Sequence, residues 1–364
     1  MGNNEGSKVQ EVLYSHLITM GKNASFDDLD SLRDKEEGEE SSSPSSQPLP
    51  KEDLIKGAMF EGMSANGWMS ETRDKKENDP LFLTLWYEGE VCCLFGDSGC
   101  GKSLLAVQMG EQIAQAGHTV AYFDFELGDM QFSKRYRSED DRSDEHKFPS
   151  SFYRFQVSRY VIIENESAIL KEIEKMALAI QADVVIVDNL TWLCLNAEKG
   201  DAAGRLMEKL VEFKRNHDWS LCVVSHTPKR DLSTPITQNS LAGSKRLTNM
   251  FDTTFAIGRS TVSKSTRYVK QTKVRNGEES YGDDSVIPAN VGRYGNRVQI
   301  FLVLDRTEEE SLHLKQPTSE EKKKKREEQA ENVKTLAAKG CSVRSIANQL
   351  GMSKSAVERL LKDY

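Results

Sequence analysis

The sequence predicts an α/β protein with a mostly parallel sheet, a small all-α unit near its C-terminal end and a polar N-terminal arm. Three observations predict it. Short apolar runs at 91–95, 119–125, 183–188 and 220–225 alternate with stretches of helical periodicity. This is the pattern of strands buried on both faces by crossover helices. The first run leads into Gly96, Asp97, Ser98, Gly99, Cys100, Gly101, Lys102 and Ser103, with the spacing G-x-x-x-x-G-K-S. Residues 332–364 place their apolar positions at helical spacing around Gly351, with no strand pattern.

The chain has 364 residues, enough for one large core plus appendages. Charged residues make up 29%, which is polar for one globule and implies solvated tails. A net charge of −8 gives no global attraction to nucleic acid, so any such contact must come from local basic patches. The six cysteines, Cys92, Cys93, Cys100, Cys194, Cys222 and Cys341, form no C-x-x-C pair. Zinc or a disulfide framework is therefore not expected, and a reducing compartment fits. No run approaches the ~20 apolar residues that span a membrane. No signal-peptide pattern occurs, and Gly6 stands where the myristoylation pattern needs Ser or Thr. The expectation is a cytoplasmic protein.

In chain order, residues 8–20 put Val9, Val12, Leu13, Leu17 and Met20 on one helical face. That helix either docks on another surface or packs on its own domain. Residues 34–52 are rich in Asp, Glu, Ser and Pro and read as a flexible linker, so 1–52 forms an arm. A helix is expected over 53–63, with a polar connection before Pro80. After the strand at 91–95, Leu104, Leu105, Val107, Met109 and Ile113 carry a helix to about Ala116, ended by Gly117. A strand at 119–125, a polar helix near 128–137 and a charged loop over 138–150 follow. Then come a strand at 152–157, an amphipathic helix at 165–181, the strand 183–188, a helix at 202–217 and the strand 220–225. Strands at 252–257, 266–275 and 297–304 read as hairpins extending one edge of the sheet. Residues 53–306 thus form one domain, joined by a charged helical linker at 307–331 to the unit at 332–364. There is no internal repeat.

The chemistry centres on the glycine-rich loop. Its glycines let backbone N–H groups turn inward around a phosphate; Lys102 reaches the β- and γ-phosphates, and Ser103 reaches Mg²⁺. Leu104 completes the binding stretch. Asp188, ending an apolar strand, is placed to hold Mg²⁺ opposite Ser103, directly or through water, or else to cap a loop. Asp124 and Glu126 stand two apart and share one strand face, opposite Phe123 and Phe125. Glu126 lies nearer the carboxyl end, where ligands gather in such sheets, and is the candidate base for an attacking water; Asp124 is structural or a supporting partner. His226, at the end of its strand, senses a γ-phosphate or is a satisfied structural histidine. Cys100 is either a small residue or an oxidation-sensitive one.

Residues 343–361 have helix-turn-helix spacing. Ala347 is small where two helices cross, and Gly351 supplies a left-handed turn. Ile346, Leu350, Val357 and Leu360 share a core with Leu336. The second helix exposes Lys354, Ser355, Glu358, Arg359 and Lys362, for entry into a duplex major groove. The segment resembles the helix-turn-helix of resolvases and small bacterial regulators; a three-helix protein-interaction module is the alternative.

The ordered set of blocks resembles the RecA-fold ATPases of the RepA/DnaB-like hexameric helicase group. It looks most like the RepA-like ATPases carried by mobilisable elements of Bacteroides-type bacteria. The blocks are 85–90, the phosphate loop, 122–127, 185–189, 225–231, 241–245 with 255–258, and 270–276. They span about residues 80–305. The resemblance implies an ATP- and Mg²⁺-dependent hydrolase that forms a homo-oligomeric ring, most commonly a hexamer. By it, Glu126 matches the catalytic glutamate, Asp188 the metal-site aspartate and His226 the sensor. Lys273 and Arg275 match a hairpin that reaches the γ-phosphate bound by a neighbouring subunit. Lys229, Arg230, Lys245 and Arg246, with a loop at about 195–204, match channel loops that track single-stranded DNA. The first channel loop has few basic residues and no stacking aromatic. Two readings follow: a helicase or translocase serving replication or mobilisation of a mobile element, and an ATP-controlled DNA-binding switch without unwinding. A KaiC-like signalling ATPase is a third, which leaves the C-terminal unit without a role.

Overall fold

The computed structural model describes residues 54–57, 59–158, 166–190, 202–228, 230–242, 245–294, 298–316 and 319–362. The expected arm at 1–52, most of the loop at 195–204 and Lys229 lie outside these residues, as do the side chains of Lys245 and Arg246. The chain divides into two compact units, Met1–Lys76 and Glu77–Tyr364.

In the first unit, β1 (Ile55–Lys56) pairs antiparallel with β2 (Glu61–Gly62). The helix expected over 53–63 is absent there and forms instead as α1, Ala65–Thr72. Gly57 and Gly62 lower the helix propensity of the earlier stretch. Ser64 supplies the start signal, its hydroxyl accepting from Gly67 N–H at 3.0 Å.

The second unit opens with a short hairpin, β3 (Pro80–Phe82) and β4 (Trp86–Tyr87). The alternating region follows: β5 (Val91–Gly96), α2 (Lys102–Gln115), β6 (Val120–Asp124), α3 (Asp129–Arg135), β7 (Phe152–Gln156), α4 (Glu166–Ala179), β8 (Val184–Asp188), α5 (Ala202–His217) and β9 (Ser220–His226). After the short helix α6 (Lys245–Asn249) come β10 (Thr253–Arg259), β11 (Thr266–Lys273), β12 (Ile287–Tyr294) and β13 (Val298–Val303). Among the described residues these strands form one nine-stranded sheet, ordered β13-β12-β11-β10-β5-β9-β8-β6-β7. From β10 to β7 every pairing is parallel; from β10 to β13 every pairing is antiparallel.

The parallel strands are apolar because both faces are covered. Leu94, Tyr122, Ile186 and Cys222 face Leu105, Met109 and Ile113 of α2. Phe95, Val185, Val187 and Val223 face Ile173 and Ala177 of α4 and Leu206 and Leu210 of α5. Strand β12 has no counterpart in the sequence reading, since Pro288, Asn290 and Gly292 break its pattern. Pairing rescues it: Pro288 lacks an N–H, but its carbonyl accepts from Leu304 N–H at 2.9 Å.

Residues 308–313 pack with the sheet: Glu308 bridges to Val286, and Glu310 and His313 are buried. Three helices then share a small core: α7 (Ser319–Ala338), α8 (Val343–Leu350) and α9 (Lys354–Lys362). Val333, Ile346, Ala347, Val357 and Leu360 fill it. Gly351 ends α8 at φ 61°, in the left-handed region. Lys354, Ser355 and Arg359 are exposed on α9. Among the described residues, no helix is long and apolar enough to cross a membrane.

Candidate functional site

The loop lies where β5 ends and α2 begins. A Cβ on Gly96 would sit 2.6 Å from the Ile257 carbonyl oxygen of the neighbouring strand, so β10 can approach only a glycine. Gly101 precedes α2 at φ 106°, and a Cβ there would meet the Phe301 ring at 3.1 Å. The loop is pinned from outside. Thr227 Oγ1 donates to Asp97 Oδ1 at 2.6 Å, and Arg259 Nη2 donates to the Ser98 carbonyl at 2.6 Å. Lys102 Nζ donates to the carbonyls of Gly96 and Asp97 at 2.9 and 3.0 Å. Cys100 is buried, and burial pushes its thiol above the ordinary range despite Lys102 nearby. The oxidation-sensitive reading of Cys100 is therefore not supported, since the reactive thiolate is disfavoured and shielded.

Asp188 ends β8 fully buried. Its Oδ2 accepts from the Tyr122 hydroxyl at 2.7 Å. Its Oδ1 has no hydrogen-bond partner among the described residues. Burial raises its carboxyl to about 6, against the pull of the Ser103 and Tyr122 hydroxyls. A buried, unpartnered carboxylate oxygen beside a serine hydroxyl is the donor set a hard divalent cation takes, so Ser103 and Asp188 fit Mg²⁺.

Glu126 reaches the site differently from the expectation. Strand β6 stops at Asp124, so Asp124 and Glu126 do not share a pleated face. Asp124 Oδ1 accepts from the N–H groups of Glu126 and Leu127 at 3.1 and 2.8 Å, turning the chain. Its Oδ2 accepts from Arg154 Nε at 2.9 Å. Glu126 is exposed at this turn, and its Oε2 accepts from Asn189 Nδ2 at 2.9 Å. Asn189 Nδ2 also lies 3.2 Å from His226 Nε2, and His226 Nδ1 lies 3.1 Å from Lys102 Nζ. Burial, followed by the Lys102 charge, pushes the His226 pKa down, which disfavours the charged ring. The structure thus brings Lys102, Ser103, Glu126, Asp188 and His226 to one end of the sheet.

Lys273 and Arg275 do not join them. Lys273 pairs with Thr254, which pairs with Cys93 at the amino half of β5, whereas Gly96 lies at its carboxyl end beside Ile257. Within their own chain, Lys273 Nζ donates to the carbonyls of Thr248 and Phe251 at 3.0 and 2.6 Å. Arg275 donates to Asp252 Oδ1 at 2.6 Å and to the Asn249 carbonyl at 2.8 Å. Neither can serve the loop of its own chain.

Arg230 also turns inward. It donates to the Thr234 carbonyl at 2.6 Å, and its Nε and Nη2 are buried without a well-formed hydrogen bond. Nearby, Glu310 accepts from Ile236 N–H at 2.8 Å, from the Tyr268 hydroxyl at 2.9 Å and from Lys270 Nζ at 2.5 Å.

A cavity of about 190 Å³ adjoins the loop, lined by Leu104, Gln108, Tyr136, His146 and strand β13. Gln108 fixes that strand to α2, donating to the Phe301 carbonyl at 3.0 Å and accepting from its N–H at 3.1 Å.

Three contributors escaped the sequence reading. Tyr122 is hidden because a tyrosine in an apolar strand reads as core. Arg154 sits in an exposed-looking strand. Asn189 did carry a signal, a polar residue directly after a strand-ending carboxylate.

The sheet, the phosphate loop at the end of β5 and the carboxylate at the end of β8 define a RecA-like P-loop ATPase fold. The AAA domain family matches residues 64–231 of the chain. Among solved structures, the chain is similar to the KaiC-like protein PH0186 from the hyperthermophilic archaeon Pyrococcus horikoshii OT3. The two share 16% identity over 62% of this chain and 95% of that one, with a TM-score of 0.43. No curated protein matches.

Proposed function

We propose that the protein hydrolyses ATP to ADP and phosphate and acts on DNA, as a RepA-like helicase or translocase of a mobile element. One observation carries the hydrolase reading: the unpartnered Asp188 oxygen, the Lys102 ammonium and the exposed Glu126 carboxylate converge on one loop. Mg²⁺ held by Ser103 and Asp188 would neutralise charge on the phosphates. Lys102 exchanges loop carbonyls for phosphate oxygens. Glu126 orients a water and accepts its proton, and His226 reports the terminal phosphate. The apolar walls beside Leu104 and Phe301 suit a flat base.

The position of Lys273 and Arg275 toward the opposite end of the strands from the phosphate loop supports action on a neighbour's nucleotide in a ring. Mixing Arg275→Ala with Lys102→Ala subunits should then restore part of the ATPase activity that each lacks alone. Recovery of none would remove the finger.

The C-terminal unit supports the DNA partner, with its left-handed Gly351 and exposed Lys354, Ser355 and Arg359 on a second helix. Lys229, Lys245 and Arg246 stay in the proposal as strand contacts. The inward Arg230 favours the second reading, an ATP-controlled DNA-binding switch, because that side chain must leave its own chain before it can follow a phosphate backbone. A forked-duplex assay with and without residues 332–364 separates the two. Unwinding by the full chain supports the motor. Duplex binding that disappears on truncation, with no unwinding, selects the switch.

A further inference from the structure

Four side chains form one line of contacts across the site: Lys102, His226, Asn189 and Glu126. Donors and acceptors along this line do not match. An ammonium only donates, so His226 Nδ1 must accept, and the single proton of a neutral imidazole must sit on Nε2. That N–H then points at an amide nitrogen, 3.2 Å away, which is also a donor. Turning the amide over would offer its oxygen to His226. The same oxygen would then stand 2.9 Å from a carboxylate oxygen of Glu126, acceptor against acceptor. A doubly protonated ring would face the Lys102 ammonium with a second donor, and burial together with Lys102 disfavours that form.

One change makes every contact match. If Lys102 leaves Nδ1, the ring proton can move there. Nε2 then accepts one N–H of Asn189, and the second N–H stays on Glu126. Lys102 already holds two loop carbonyls, and phosphate oxygens compete for it most strongly of all available acceptors.

We propose that Asn189 is a positioning residue that couples Lys102 to Glu126 through the tautomer of His226. The candidate base is fully held only after Lys102 has moved to the phosphates. In that state His226 Nδ1–H faces the side Lys102 has left and becomes a donor toward the phosphate. The inference rests on the ATPase reading and adds to it an order of events: phosphate engagement precedes fixing of the base. Asn189, which is itself buried, is the pivot because its one nitrogen touches both partners.

Solid-state ¹⁵N NMR of histidine-labelled full-length protein tests this, with His226→Gln identifying the resonance. The ring proton should sit on Nε2 without nucleotide and on Nδ1 with a non-hydrolysable ATP analogue and Mg²⁺. Asn189→Asp offers Nε2–H an acceptor and repels Glu126. It should keep the proton on Nε2 in both states and lower kcat roughly 10–100-fold, with the KM for ATP within about twofold. Asn189→Ala should lower kcat similarly. The wild-type tautomer measurement decides the matter even if Asn189 tolerates no substitution. A tautomer unchanged by the analogue, or an Asn189 variant with wild-type kcat, overturns the inference and leaves the ATPase reading standing. A wild-type protein that does not bind the analogue overturns both.

Discussion

Two buried ionic clusters in this sheet use the same parts to opposite ends. In each, a tyrosine hydroxyl donates to a buried carboxylate. At Glu310 both oxygens are engaged: Oε1 by Ile236 N–H and Tyr268, Oε2 by Lys270. Lys270 in turn donates to the Ile236 carbonyl at 2.6 Å and pairs with Asp283. At Asp188 one oxygen is held by Tyr122 and the other has no partner among the described residues. Complete satisfaction makes the first cluster a clasp between β11, the chain after β9 and the segment at 308–313. Incomplete satisfaction leaves the second able to take a cation, at a cost in folding free energy. A buried charge therefore reads as structural or functional according to what remains unpaired around it.

Substitutions sharpen this contrast, the largest effect first. Glu126→Gln should leave ATP binding unchanged and lower turnover by roughly 10²–10⁴, measured as phosphate release; retained turnover would remove Glu126 from the chemistry. Glu310→Ala should do the reverse. Stripping the clasp leaves Lys270 with only Asp283 as its carboxylate partner and should cost about 3 kcal/mol, read as a lower denaturation midpoint, with binding of a fluorescent ATP analogue little changed. Asp188→Asn should stabilise the protein in chelator. The folded carboxyl, raised to about 6, holds a proton that the unfolded chain has released. Stability therefore falls as pH rises from the ordinary carboxylate range through about 6, and asparagine escapes that loss. At pH 8 the variant should be more stable by about 1–3 kcal/mol, and the difference should vanish near pH 4. Equal stability at both pH values would place Asp188 with Glu310 as a satisfied structural group.

The fold was legible wherever pattern is local. The buried strands β5, β8 and β9 read as apolar runs, and the loop reads as a spacing. The misses have physical causes. Helix α1 lies beyond the stretch expected to be helical because Ser64 starts it. Strand β12 exists through its neighbours, against its own Pro288 and Gly292. Glu126 is placed by a turn that Asp124 nucleates, not by strand alternation.

The sequence by itself determined the phosphate loop, the alternation of strands and helices from β5 to β9 and the small core around Gly351. Each depends on residues near one another along the chain, where backbone geometry and periodicity suffice. Only the tertiary structure decided which charged groups are engaged. Arg230 turns inward, Lys273 and Arg275 hold their own chain, Glu310 is satisfied and Asp188 is not. Those outcomes depend on partners brought from distant segments, and a hydrogen bond across such a distance leaves no mark on the spacing of either residue.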